Sequence, residues 1–111
     1  MDIEIDERDN ATILKLCGYL DATSVVDLEK QLTPVVDNGS NAVVLDFAAT
    51  EYISSAGLQT LLTAAKKLRS QQRAFVLCAI NAPVMEVFQI TGFHRILRIE
   101  ESLDQVLNTL A

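Results

Sequence analysis

The chain opens with Ile3-Glu4-Ile5-Asp6-Glu7, apolar and polar in alternation, the mark of a half-exposed strand. Asp9-Asn10 reads as a turn, and Ala11 to Cys17 as a second strand offering Ile13, Leu14 and Leu16 to the core. Two strands joined so closely run antiparallel, as a hairpin. Gly18-Tyr19-Leu20-Asp21 leaves the strand, and the period changes. Val25, Leu28, Leu32, Val35 and Val36 fall on one stripe of a helix, with Asp27, Glu29, Lys30 and Gln31 mostly off it. Asp21 and Thr23 are both N-cap candidates for that helix. Pro34 predicts a kink or break, because its ring crowds the carbonyl of Lys30. Gly39 stands where a left-handed C-cap would close the element.

Ala42 to Phe47 is a nearly unbroken apolar run, suited to a strand in the middle of a sheet. A loop with Thr50, Glu51 and Tyr52 follows, and a second helix starts at Ser54-Ser55. Its apolar face holds Leu58, Leu61, Leu62, Ala65 and Leu68, and Lys66, Lys67 and Arg69 match the negative end of its dipole. Ala74 to Ile80 is another apolar strand. Asn81 and Pro83 open a short helix that Thr91-Gly92 closes. Ile96 to Ile99 reads as a last strand and Glu100 to Ala111 as a last helix, with Ser102 near its start and Leu103, Val106, Leu107 and Leu110 on one face. The pattern predicts a single-domain α/β fold over 1–111. A small mixed sheet is packed by about four helices, its N-terminal hairpin strand antiparallel and its later crossovers parallel.

Composition narrows the function classes. With 111 residues the chain suffices for one core. Fifteen acidic against nine basic side chains give a formal charge of −6, and aromatic residues are few. Nucleic acid is a poor partner for such a surface, whereas a basic or amphipathic protein patch suits it, and the charge serves equally as an ordinary solubility device. No apolar run reaches the length of a membrane span, and Met1-Asp2-Ile3-Glu4 is charged where a secretion signal would be greasy. A cytoplasmic protein without membrane insertion is predicted. Cys17 and Cys78 both sit in apolar strand contexts and read as buried, reduced thiols.

The candidate chemistry gathers at the second helix. If Ser54 is the N-cap, its hydroxyl turns inward to an orphan N–H, and Ser55 is the first helical residue with its hydroxyl outward. A helix N-terminus favours negative charge, so a phosphate could sit there. A serine hydrolase would place glycine two residues before its nucleophile, where Ile53 stands here, and the one histidine, His94, has no tie to the serines and reads as a surface residue. Gly57 is isolated, so no nucleotide-binding glycine fingerprint exists. Asp21, Asp46 and Glu51 could gather near the serines, but caps and solvated charges are commoner uses of such residues than metal binding. No metal and no cofactor are predicted. Gly57 inside a first helical turn asks for either close packing or the close approach of a partner.

Gly18-Tyr19-Leu20-Asp21, the strand Val43-Val44-Leu45-Asp46, the signature Tyr52-Ile53-Ser54-Ser55-Ala56-Gly57-Leu58 and Thr91-Gly92-Phe93 together resemble the STAS domain, the fold of anti-sigma factor antagonists. The resemblance spans essentially the whole chain. It implies a non-enzymatic switch that binds an anti-sigma factor serine kinase when unphosphorylated, frees a sigma factor, and is reset by a PP2C-type phosphatase. Aligned on Gly57-Leu58, the phosphoacceptor of the family falls on Ser55, with Ser54 as second choice. Ser54 stands where the family often has Asp, and Ala56 where it often has Ser or Thr. The contact surface implied is Asp21, Thr23, Asp46, Glu51, Ser54, Ser55, Ala56, Gly57 and Leu58. The same resemblance admits a second setting, as a subunit of a lipid-transport ATPase complex or of a signalling scaffold with constitutive contacts.

Overall fold

The computed structural model describes residues 1–110; the last residue of the predicted C-terminal helix, Ala111, lies outside the described residues. Five strands, β1 (Asp2–Glu7), β2 (Ala11–Leu20), β3 (Ala42–Ile53), β4 (Phe75–Cys78) and β5 (Arg98–Glu100), form one sheet in sequential order. β1 is antiparallel to β2, and β2, β3, β4 and β5 run parallel. Four helices, α1 (Val25–Asn38), α2 (Ser55–Ser70), α3 (Ala82–Thr91) and α4 (Leu103–Leu110), pack on it, with a short 3₁₀ turn at Phe93–Arg95.

Alternation along the strands divides the core. Leu14, Leu16, Val43, Leu45, Phe47 and Leu77 point to the face covered by α1, α2 and α3. Ala11, Ile13, Val44, Val76 and Cys78 point to the other face, where α4 alone packs, through Leu103, Val106, Leu107 and Leu110. Ser102 caps α4 by accepting the Gln105 N–H. In α2 the fully buried positions are Gly57, Leu58, Leu61, Ala64 and Leu68, with Leu62 and Ala65 packed at the margin.

Several expectations are corrected. β2 continues through Gly18, Tyr19 and Leu20, because β3 pairs with it for as long. β3 runs six residues past Phe47, so Thr50, Glu51 and Tyr52 are strand and not loop. Its inward positions there are Phe47, Thr50 and Ile53, three apart instead of two, and the register against β2 slips twice, between Lys15 and Cys17 and between Gly18 and Tyr19. Each slip is one extra residue on β3, a bulge. Cys17 is exposed, since its face of β2 is uncovered at that level; Cys78 is buried, and both thiols are free. β4 and β5 are shorter than predicted, and α4 starts at Leu103.

Of the kink or break predicted at Pro34, the break is absent: α1 is continuous from Val25 to Asn38. Leu32 and Val36 are buried on either side of the proline. Arg73, just before β4, holds the end of the helix, donating to the carbonyls of Val36 (2.8 Å), Val35 (3.0 Å) and Asn41 (2.7 Å). Gly39 has extended dihedrals and not the left-handed cap. A Cβ there would lie 2.6 Å from the Val35 carbonyl oxygen and 2.8 Å from Arg73 Nη2, so the glycine makes room for the guanidinium.

Candidate functional site

The paired ends of β2 and β3 position the site. The N–H of Ser54 donates to the carbonyl of Leu20 (2.8 Å), closing the ladder as the helix begins. Ser54 is the N-cap: its backbone is extended and its Oγ accepts the Gly57 N–H (3.3 Å). Ser55 is the first residue of α2, exposed, with its hydroxyl unpaired among the described residues. The orphan N–H groups and dipole of a 16-residue helix therefore stand behind a free hydroxyl. Gly57 is needed for packing: a Cβ would lie 2.8 Å from Leu20 Cγ and 3.1 Å from Ile53 Cγ1, both in buried side chains. Glycine lets the first turn of α2 lie directly on the two strand ends that aim Ser55.

The turn from β2 into α1 flanks the serines. Asp21 Oδ1 accepts the N–H groups of Thr23 (3.0 Å) and Ser24 (2.9 Å). Ser24 Oγ accepts the Asp21 N–H (2.9 Å) and donates to the Tyr19 carbonyl. These bonds, first among them that from the Ser24 N–H, hold the Asp21 carboxyl below its usual pKa. Asp21 thus organises the turn, but neither it nor Thr23 is the N-cap of α1, which is Ser24. Thr50, on the last third of β3, is buried; its hydroxyl donates to the Leu16 carbonyl (3.0 Å) and its own carbonyl accepts from Asn81, the N-cap of α3 (3.0 Å).

Asp21, Asp46 and Glu51 do not converge into a ligand set for a metal. Asp46 is opposite Lys15 in mid-sheet, and at a rise of ~3.3 Å per residue it lies roughly 20 Å or more down β3 from Ser54. Its Oδ1 accepts the Ala48 N–H (2.9 Å) at the first bulge. Its charge adds to burial in pushing the Cys78 thiol up to about 12. Gly57 and Leu58 are buried beneath the helix start, so among the predicted contact residues Thr23, Glu51 and Ser55 are exposed and Asp21, Ser54 and Ala56 half-buried. Ala56 also lines a groove of about 360 Å³ between α1 and α2, floored by Val25, Leu32 and Val36. His94 is half-buried, its Nδ1 3.2 Å from the Phe88 carbonyl and away from the serines.

Residue-type reasoning missed Tyr19 and Tyr52. They face each other across β2 and β3 with ring centroids 6.2 Å apart, and are 55% and 47% exposed. The signal available was position: each immediately precedes a residue, Leu20 or Ile53, that the core claims.

Residues 2–106 match the family model described as the STAS domain. A Bordetella bronchiseptica protein, BtrV, named as an anti-sigma factor antagonist, is 40% identical over 102 residues, covering 92% of this chain and 88% of that one. The crystal structure of a Thermotoga maritima protein titled an anti-sigma factor antagonist superposes with a TM-score of 0.91 at 21% identity, covering 97% of this chain and 93% of that one. The Bacillus cell-fate determinant SpoIIAA, solved in its phosphorylated form, superposes at 0.77 and 14% identity, over 99% of this chain and all of that one (100%). The sheet order, the serine-capped second helix and these likenesses converge: the chain belongs to the STAS domain family, alongside proteins named as anti-sigma factor antagonists.

Proposed function

We propose that the protein is a phosphorylation-controlled antagonist that binds an anti-sigma factor serine kinase and so frees a sigma factor, without chemistry of its own, and that Ser55 is its phosphoacceptor. The observation that carries this reading is the division of labour between adjacent serines. Ser54 Oγ is engaged by the Gly57 N–H, while Ser55 is exposed at the first position of α2 with a free hydroxyl. Phosphate on Ser55 adds about −1.5 to −2 charges at neutral pH, tolerated by the helix N-terminus but set beside a protein already carrying −6. A kinase surface packed on Ser55 is then displaced by charge and bulk while the fold persists. A PP2C-type phosphatase would reset the switch, in the cytoplasm where such a kinase finds ATP.

The test is mass spectrometry of the protein after incubation with ATP and purified histidine-kinase-like anti-sigma factors from the same genome. Phosphate is expected on Ser55. Ser55→Ala should block it and keep binding, and Ser55→Asp should weaken binding by about tenfold or more with melting nearly unchanged, as for surface changes generally. Phosphate on Ser54 reverses the assignment. No phosphate on either serine, with binding unaffected by Ser55→Asp, favours the constitutive subunit of a transporter or scaffold.

A further inference from the structure

The sheet face opposite α1, α2 and α3 is only half covered. α4 packs over the beginnings of the strands, against Ala11, Ile13, Val44 and Val76. Beyond it the same face of β2 and β3 is bare: Cys17 pairs with Ala49 and Tyr19 with Tyr52, and all four are exposed. The two tyrosine rings cap this strip at the end of the strands that leads into Ser54 and Ser55. Their hydroxyls have no hydrogen-bond partner among the described residues. Paired rings left half in water at the end of a sheet are the residue type that anchors protein interfaces, with a large area and little rotamer entropy to lose.

Charge selects the occupant. Beside Tyr19, at the β1 edge of the sheet, lies an open basin of about 450 Å³ whose wall carries Asp2, Asp21 and Asp27 and no Lys or Arg side chain; the N-terminal ammonium of Met1 on the same wall pairs with Asp27 (3.4 Å), leaving Asp2 and Asp21 in excess. Farther along the face Glu4 and Asp46 flank the one lysine, Lys15. A second copy would bring the same carboxylates against themselves and is disfavoured. A basic surface is favoured twice, by the carboxylates and by the ring faces, which attract Arg and Lys.

We propose that the Tyr19–Tyr52 sheet face is a second docking surface for the anti-sigma factor kinase, contacted by a basic patch of that partner whose arginine or lysine side chains lie over the rings. This rests on the function proposed above and adds a contact that adjoins the modified hydroxyl but does not use it. The face holds the partner through rings and charge, and Ser55 decides whether the adjoining contact forms.

The experiment is calorimetric titration of the unphosphorylated protein with each purified histidine-kinase-like anti-sigma factor of the same genome, at low and high salt. Tyr19→Ala and Tyr52→Ala are each expected to loosen binding by roughly tenfold or more, in the range of interface anchors. Tyr→Phe at either position should stay within about threefold, because the ring face and not the hydroxyl makes the contact. Asp2→Asn with Glu4→Gln, the carboxylates opposite Cys17 and Lys15 on this face, should loosen binding severalfold and flatten its salt dependence. Benzoylphenylalanine at position 52 should crosslink to the kinase, a readout that holds even if an alanine variant melts early. If no kinase binds the wild type, the functional reading fails and takes this one with it. If a kinase binds the wild type, Ser55→Asp releases it, and the tyrosine variants bind unchanged without a crosslink, the docking face alone is overturned. Concentration-dependent dimers that the tyrosine variants abolish would assign the face to a second copy and overturn the proposal likewise.

Discussion

The two ends of the sheet are built on opposite principles. At the start of β3, Arg73 bonds three backbone carbonyls and the side chain of Gln71, closing α1 and leaving little for a partner to use. No basic residue of α1 itself lies in its last turn, so the cation at the negative end of its dipole comes from another element. At the far end, β2 and β3 finish in a free serine hydroxyl and two half-exposed tyrosines. One end uses its polar groups on the protein; the other presents them. Stability and recognition are therefore separable by mutation.

The largest effect on stability is expected from the closed end. Arg73→Ala strands the carbonyls of Val35, Val36 and Asn41 and should cost roughly 2–3 kcal/mol, with partner affinity nearly unchanged in the folded fraction. Arg73→Lys should recover only part, since an ammonium does not reproduce the fork. Chemical denaturation of both variants checks this, and a large affinity loss in Arg73→Ala would break the separation. Gly57→Ala is next. The methyl gains up to about 1 kcal/mol of helix propensity but drives into Leu20 and Ile53, for a net loss of about 1–2 kcal/mol. Because those side chains aim the helix start, this variant should lose affinity as well, uniting the two properties where Arg73 divides them.

Ser54→Ala removes the cap to the Gly57 N–H and should cost about 1 kcal/mol, while Ser55 remains a kinase substrate. The smallest effect is pH-dependent. The Asp21 carboxyl is held below its usual pKa by the N–H groups of Ser24 and Thr23. Its contribution to stability is therefore full above the unfolded value near ~4 and is lost as pH falls through the folded one. Asp21→Asn should make the melting temperature less steep in pH below about 4, and an unchanged slope would show the turn to be indifferent to that charge.

Much of this was legible in the chain. Alternation located β1 and most of β2, the period-3.6 stripes located α1 and α2, and Ser54 could be read as a cap because capping is chemistry between near neighbours. What failed depends on distant residues. Gly39 looks like a left-handed cap until Arg73, 34 positions on, is seen to fill the space a Cβ would need. Pro34 looks like a breaker until Leu32 and Val36 are seen buried around it. Cys17 looks like a core residue because nothing in its neighbourhood says that α4 stops short. Glu51 and Ser55 lie within one stretch and both reached the surface end of the sheet, whereas Asp46, grouped with them by its place at a strand end, lies in mid-strand because β3 does not end there.

The two extra residues in β3 have a consequence for the family of sequences that could replace this one. Between Phe47 and Ile53 the side chains of Ala48, Ala49, Glu51 and Tyr52 are exposed, so the identities there are loosely constrained by the core. The count is not. Deleting one residue would turn Thr50 or Ile53 away from the core, slide Tyr52 past Tyr19, and rotate the base on which α2 stands. The core therefore tolerates substitution at Ala48, Ala49 and Glu51, while an insertion or deletion would misplace Thr50, Ile53 and the tyrosine pair. The direction of the Ser55 hydroxyl is inherited as a length.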